Sequence, residues 1–573
     1  INAEYGGRIK YTDFEMHICQ QIRKLSSAVY DLLQPQLDLP NADHVRHCMY
    51  NLMKDEEIDD HFFGERYLPN KPYIKKYCAQ IRNFQTRGFA GLSMDFCYFN
   101  IQSSMNQKTG EFKNYCTSNK KGEEGQLRPI RAGCAFVVTP YDRSIPKALQ
   151  FFQYSCTGNM TQSQLDIAKQ IIDIFQSEHV SIQNISCDGD RFTSSFKKDI
   201  FMSVKWLNRQ NKSNPYELIK QRPLQRMTGD PGHIQKLGRY RATEKDLSLS
   251  YNPHRQIFTR QQLAEIFGFL GKKVLDPDPR LKMRDDLAYK LFGKDAIDKV
   301  FSLGFKQAPL AIYWMLHYPL NLMLVKMNPL QAQKILVFGM YTLMILYDVI
   351  NESGKFKPQT YKNIRISMRN VGNPTALYGF CSEWIEQYVG YCAKVLNLCK
   401  QHRQLSLYAV SSYPCENFFS TLRINSHFQN NISFANGVIK RMKLEEIIEQ
   451  ETGKPQSFTR ISPHQTTILD CDKFLEEKDW WELWNLATYA VDHMMEENHE
   501  DEVSKETTYL KIKNLWDECS TSIISEHFQI KLKDDDVVET KVQNNEQQSY
   551  QDRIKQIKDE NNDDEKPINQ EIE

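Results

Sequence analysis

The spacing of apolar residues changes character along this 573-residue chain. Residues 11 to 68 carry a helical period. His17, Ile18, Ile22 and Leu25 form one stripe, and Ala28, Val29, Leu32 and Leu33 a second. Ser26-Ser27 starts the second helix and Pro35 ends it. Asn41-Ala42-Asp43 can cap a third that runs through Val45, Cys48, Met49 and Leu52. Helices in this order fit a helix-turn-helix or a plain three-helix support. From 85 to about 200 the pattern turns to strands, at Gly91–Phe99, Ala132–Val138 and Val180–Cys187. A helical stretch, Ser163–Phe175, precedes the last of them. A strand that follows such a helix can run parallel beside the first, an α/β unit. Residues 255–400 return to helix and are rich in buried-type aromatics such as Tyr313, Trp314, Tyr318, Tyr341 and Tyr347. The apolar run Ile335–Leu346 is shorter than the roughly 20 residues a bilayer requires, so it predicts a buried helix.

Composition narrows the class. Apolar content of 40% and charged content of 25% are those of a water-soluble chain, and the length predicts three or four domains. Fourteen cysteines occur singly with no CxxC, which argues against a zinc finger or ribbon and against a disulfide scaffold. Reduced thiols fit the cytosol or nucleus better. Net charge is only +1, so nucleic-acid affinity must come from local patches. One exists at 205–241, where nine Lys and Arg face Glu217 and Asp230, a local +7. An excess of that size is an electrostatic footprint for phosphates, or a solvated basic face. Residues beyond 533 are acidic and Asn/Gln-rich, which predicts a disordered tail.

Three carboxylates stand at informative places. Asp95 lies near the end of the first strand run and Asp188 ends the last. Glu416 opens the helix-like Pro414–Arg423. Two strand-borne aspartates and a later helix-borne glutamate match an RNase H-like DDE site holding two divalent cations. Mg²⁺ and Mn²⁺ prefer hard oxygen ligands, which suits carboxylates. Asp190, two residues after Asp188, is a rival ligand. Asp188 and Glu416 are 228 residues apart, which requires a helical insertion before the glutamate helix.

In these segments the chain resembles P-element-type transposases, including the THAP-domain transposases of animals. The likeness rests on Ser26–Leu33 with Leu37–Pro40, Ser93-Met94-Asp95, Ile185–Gly189, Gly229–Arg239 and Cys415–Arg423, in the family's order. It spans roughly residues 20 to 445. Departures are Tyr413, where members often carry an acid, and Asn431–Asn436, where members tend toward Asn-Pro-Thr. The resemblance implies a nuclear enzyme of cut-and-paste transposition that acts on double-stranded DNA as a homo-oligomer, with no membrane role. It implies a GTP-binding insertion, with no contact residue assignable. It also implies an N-terminal zinc finger, whose cysteine pattern this chain lacks, as a truncated chain would.

The expected organisation is an α/β RNase H-like catalytic core interrupted by a large all-α insertion. A helical N-terminal segment spans 1–84. The core occupies 85–225 and 401–450, the insertion 226–400, a helical region 451–530 and an acidic disordered tail 531–573. Asp95, Asp188 and Glu416 are the expected catalytic and metal-binding residues. Lys236, Arg239, Arg241 and Arg423 are candidate nucleic-acid contacts. Asp230 and His233 are accessory, more structural or DNA-contacting than catalytic, since two-metal phosphoryl transfer needs no histidine base. The alternative function is a domesticated, inactive transposase that binds DNA or protein.

Overall fold

A computed structural model describes most of residues 66–187, 227–352, 382–424 and 468–524, with short gaps inside those ranges. The expected helices of 11–65, most of the basic 205–226 stretch and the tail after 533 lie outside the described residues. A mixed six-stranded sheet organises the first half. Its strands are β1 (Arg66–Tyr67), β2 (Gly88–Tyr98), β3 (Ala132–Pro140), β4 (Leu149–Ser155), β5 (Val180–Cys187) and β6 (Met227–Gly229). Their spatial order is β1-β4-β3-β2-β5-β6. β2, β3 and β4 are antiparallel neighbours, whereas β5 runs parallel to β2 and β6 parallel to β5. The parallel β2–β5 pair is the arrangement expected of a strand that returns through a helix.

Helices α1 (Lys71–Arg82) and α2 (Gln162–Ser177) cover one sheet face. Ala90, Leu92, Met94 and Phe96 of β2 pack there with Ile171, Phe175, Ile182 and Ile185. Side chains alternate across a strand, so Gly91, Ser93, Asp95 and Cys97 belong to the other face. Cys97 indeed joins a separate cluster with Ala135, Phe152, Phe418 and Phe419. β2 is buried on both sides, which explains why its apolar run is nearly continuous.

The remaining described elements are mostly helical. They comprise α3 (Pro231–Glu244), α4 (Arg260–Phe267), α5 (Asp285–Leu291), α6 (Lys294–Phe301), α7 (Ala308–His317), α8 (Pro329–Glu352) and α9 (Ser382–Gln401). After a strap at Gln404–Ser412 come α10 (Tyr413–Ile424), α11 (Glu477–Met495) and α12 (Glu502–Cys519). α8 is longer than the apolar run alone suggested. Pro329–Tyr347 is long and apolar enough to span a membrane by composition, but 78% of it is buried in the protein. It packs against α9 and α11 in the largest apolar cluster, which includes Tyr313, Trp314, Tyr318, Tyr341 and Tyr347.

His317 sits within this cluster, fully buried. Its ring stacks on Phe292 at 3.8 Å and meets Tyr313 and Trp384. Neither ring nitrogen has a hydrogen-bond partner among the described residues. Burial, reinforced by Arg241, pushes its pKa well below 6.5. The unfolded chain therefore takes up a proton near pH 6.5 that the folded chain refuses. Stability from this site is present above pH 6.5 and is lost as pH falls. Lowering the pH from about 7.5 to about 5.5 is expected to destabilise the fold through His317. Urea unfolding of His317→Phe and wild type at both pH values checks this, and the variant should lose that part of the acid sensitivity.

Candidate active site

The residues of β2 that face away from α1 and α2 meet the strap before α10 in sequence order. At Gly91 the backbone of Ala409 comes so close that an added Cβ would lie 2.0 Å from its carbonyl oxygen. Two residues on, the Ser93 hydroxyl donates to the Ser411 carbonyl at 2.6 Å. Two further on is Asp95, whose register partner is Ala135 on β3. The Cys415 thiol, adjacent to Glu416, lies 3.7 Å from that residue's carbonyl. The strap and the first turn of α10 therefore run along the face that bears Asp95.

β5 supplies the second line of attachment. Its register against β2 slips between Ala90 and Gly91, so Ala90 faces Ile182 and Gly91 faces Asn184. The irregularity leaves Gln183 to contact His402 at 2.6 Å and turns Asn184 inward. The Asn184 amide donates to the Ala409 carbonyl at 3.1 Å and to the Ser186 hydroxyl at 2.9 Å, while its oxygen takes the buried Tyr141 hydroxyl. Asp188 has the same parity in sequence as Asn184 and Ser186, but it lies outside the described residues.

Asp230 ties α3 to the same strap. One carboxylate oxygen caps the helix by accepting the His233 backbone N–H at 2.8 Å. The other accepts the Ser412 N–H at 2.9 Å. Asp230 is 2% exposed, and taking two backbone N–H groups gives it a structural task.

Glu416 stands among these elements. Lys236 of α3 reaches Asp285 of α5 at 3.0 Å and Glu416 at 4.0 Å. The Tyr413 hydroxyl hydrogen-bonds to Asp285. Burial raises the Glu416 pKa, Lys236 pulls it back, and Asp285, Asp230 and Asp95 push it up again, to about 8. Burial alone would lower the Lys236 pKa, but Asp285, Glu416 and Asp230 outweigh it and raise it. The lysine is therefore a fixed cation. Protein surrounds Glu416, yet its side chain keeps 35% exposure, so the carboxylate is open to solvent on one side. Asp285 is the participant that sequence reasoning missed. Asp285 and Asp286 form the acidic first turn of α5. Asp286 does pair locally with Arg284, while Asp285 turns to Lys236.

The candidate phosphate contacts fall elsewhere. Arg239 is 1% exposed. Its guanidinium donates to the carbonyls of Val274, Leu281, Lys273 and Asp276 at 2.9–3.2 Å. These bonds use the donor array that a phosphate would need, so Arg239 is corrected to a structural clamp. Lys236 and Arg241 are also buried, each 7% exposed. The cause is that α3 packs on nearly every side: Trp384 donates to the Ile234 carbonyl at 2.9 Å, and Gly238 lies flush against the His317 ring. Arg423 is in α10, but its side chain lies outside the described residues.

Hard carboxylate oxygens open to solvent suit a divalent cation such as Mg²⁺ or Mn²⁺. Among the described residues no three His, Cys, Asp or Glu side chains form a metal-ligand set. Asp95 and Glu416 could supply two donors, and a third would have to come from beyond the described residues.

No protein-family profile matches the chain, and no curated protein matches it. Among solved structures, the Drosophila P element transposase strand transfer complex is similar over 77% of this chain and 93% of that one, with 12% identity and a TM-score of 0.48. A likeness of that size does not establish a shared fold.

Proposed function

We propose that the chain is a DDE-type DNA transposase core, cleaving and joining DNA strands in the nucleus. Asp95, Asp188 and Glu416 would hold two Mg²⁺ or Mn²⁺ ions. The observation that carries this reading is the march of Gly91, Ser93 and Asp95 along the strap that leads into Glu416. It brings a strand aspartate and a helix glutamate 321 residues apart in sequence to one sheet face. Asp95 is among the carboxylates that raise the Glu416 pKa, after Asp285 and Asp230. When bound, such ions activate a water or 3′-hydroxyl and neutralise the leaving oxygen.

The chain's own residues prepare that chemistry. Lys236, itself paired with Asp285 of α5, holds Glu416 from the side of α3. Asn184, Ser93 and Asp230 fix the strap, so the glutamate is set before any ligand arrives. Double-stranded DNA as partner, homo-oligomeric assembly and GTP binding by the helical region belong to the proposal, with no residue assigned to GTP.

The proton on Glu416 makes a distinct expectation. Its pKa stands near 8 in the folded chain, against 4.5 ordinarily. The folded state therefore keeps a proton that the unfolded state releases, and this site loses stability as pH rises from 4.5 toward 8. A metal must expel that proton. Apparent Mn²⁺ affinity is expected to climb by up to about tenfold per pH unit until pH is about 8, then level. Calorimetric titration across that range, in buffers of different ionisation enthalpy, checks it. Glu416→Gln should flatten the dependence.

The deciding assay is nicking of supercoiled plasmid by the purified chain, with Mn²⁺, Mg²⁺ or chelator. Metal-dependent nicking is the expected result. DNA binding with no nicking under any of these conditions would leave only the binding-protein alternative.

A further inference from the structure

Phe269 is a large apolar side chain held in water. It is 57% exposed, while its neighbours in sequence are anchored on both sides. Phe267 is buried and stacks on Trp314 at 4.6 Å with the rings 15° apart. Leu270 packs against the main apolar cluster, and Val274 is 1% exposed. The start of α4 is fixed by a capping box between Thr259 and Gln262. Beyond Phe269 the chain turns at Gly271, whose φ of +99° suits glycine, and presents Lys272 to solvent beside Lys273.

Arg239 ties this turn to α3. Its four bonds to the carbonyls of residues 273–281 hold the segment against α3. Arg239 lies three residues beyond Lys236 on that helix, a rise of about 4.5 Å. The turn is therefore attached to the helix that also supports Glu416. Two cations, Lys272 and Lys273, follow Phe269 on the turn, while Arg284 further on is taken up by Asp286. A preformed exposed aromatic beside cations matches an unpaired nucleotide, whose base offers a stacking face and whose phosphate offers charge.

We infer that the Gly268–Lys273 turn binds an unpaired nucleotide of a DNA strand, with Phe269 stacking on the base and Lys272 and Lys273 contacting the phosphate. The inference rests on the reading of this protein as one that works on DNA. Its occupant is the frayed or extended end of a strand, since the sugar-phosphate exterior of an intact duplex gives Phe269 no base face.

The test uses the full chain and two fluorescent probes of one sequence, a blunt duplex and the same duplex with a short 3′ single-stranded extension carrying 2-aminopurine. Wild type should bind the extended probe more tightly and change the 2-aminopurine emission. Phe269→Ala should weaken extended-probe binding about tenfold and abolish that change, and Phe269→Trp should keep both. Blunt-duplex affinity and plasmid nicking should stay within about twofold in either variant. Equal affinity of wild type for the two probes, with nicking intact, would overturn the inference and leave the proposed function standing. So would an unchanged Phe269→Ala. Loss of self-association in that variant by sedimentation, with DNA binding unaltered, would assign the turn to a second copy of the chain and overturn it too. Wild type that binds neither probe and does not nick would remove the proposed function and this inference together.

Discussion

Asp95→Ala and Glu416→Ala are each expected to reduce Mn²⁺-dependent nicking by about 1,000-fold or more. Losing one ligand of a two-metal site removes several kcal/mol of charge stabilisation in the transition state, and about 1.4 kcal/mol corresponds to each factor of ten. Duplex affinity should change little, because binding depends on phosphate contacts elsewhere. Folding should survive as well. Asp95 is half-buried and Glu416 carries a raised pKa, so neither ionised carboxylate is a strong prop of the fold. The check is a nicking time course beside a binding titration and a melting curve for each variant. Nicking at wild-type rates in either variant would show that the carboxylates do not do this work.

Gly91→Ala is expected to be the most damaging small substitution at the site. The new Cβ would stand 2.0 Å from the Ala409 carbonyl oxygen and 2.6 Å from the Asn184 side-chain oxygen. One obstacle is backbone, and the other is held by Tyr141, so neither can yield cheaply. Relief requires the strap to lift from β2, which also strains the Asn184–Ala409 and Ser93–Ser411 bonds. Overpacking of this kind costs about 3 kcal/mol. Activity should fall further than stability, because the strap delivers Glu416. Gly268→Ala is the matched control, since nothing lies within 4 Å of its Cβ position. Equal melting temperatures for the two variants would sink this account of the strap.

Much of the sheet could be read along the chain. The runs at 91–99, 132–138 and 180–187 became β2, β3 and β5, and the stretch 163–175 lies within α2. β4 received no such reading, and its residues are buried throughout, which gives little alternation to detect. The buried helix at 335–346 and the aromatic helical region were also legible, because long apolar periodicity has few other uses. A further signal went unused. Gly91, Ser93 and Asp95 alternate with Leu92 and Met94, and Asn184, Ser186 and Asp188 share a parity. Small or polar residues on one strand face announce that backbone will pass close over it.

Three of the basic positions in 205–241, Lys236, Arg239 and Arg241, are buried for a physical reason. A run of Lys and Arg gives net charge but no depth, and burial is decided by which helices pack around the segment. Arg239 became a clamp because four carbonyls of a turn some 35 residues later converge on it. Asp285 joined Lys236 and Glu416 from yet another helix. Sequence by itself determined the strand and helix periods and the three carboxylates worth testing, because these depend on local alternation and side-chain type. Only the tertiary structure decided that Asp95 and Glu416 share a face, that Lys236 is a buried counter-ion, and that Phe269 is displayed. Those outcomes rest on contacts between residues tens to hundreds of positions apart, which no local pattern encodes.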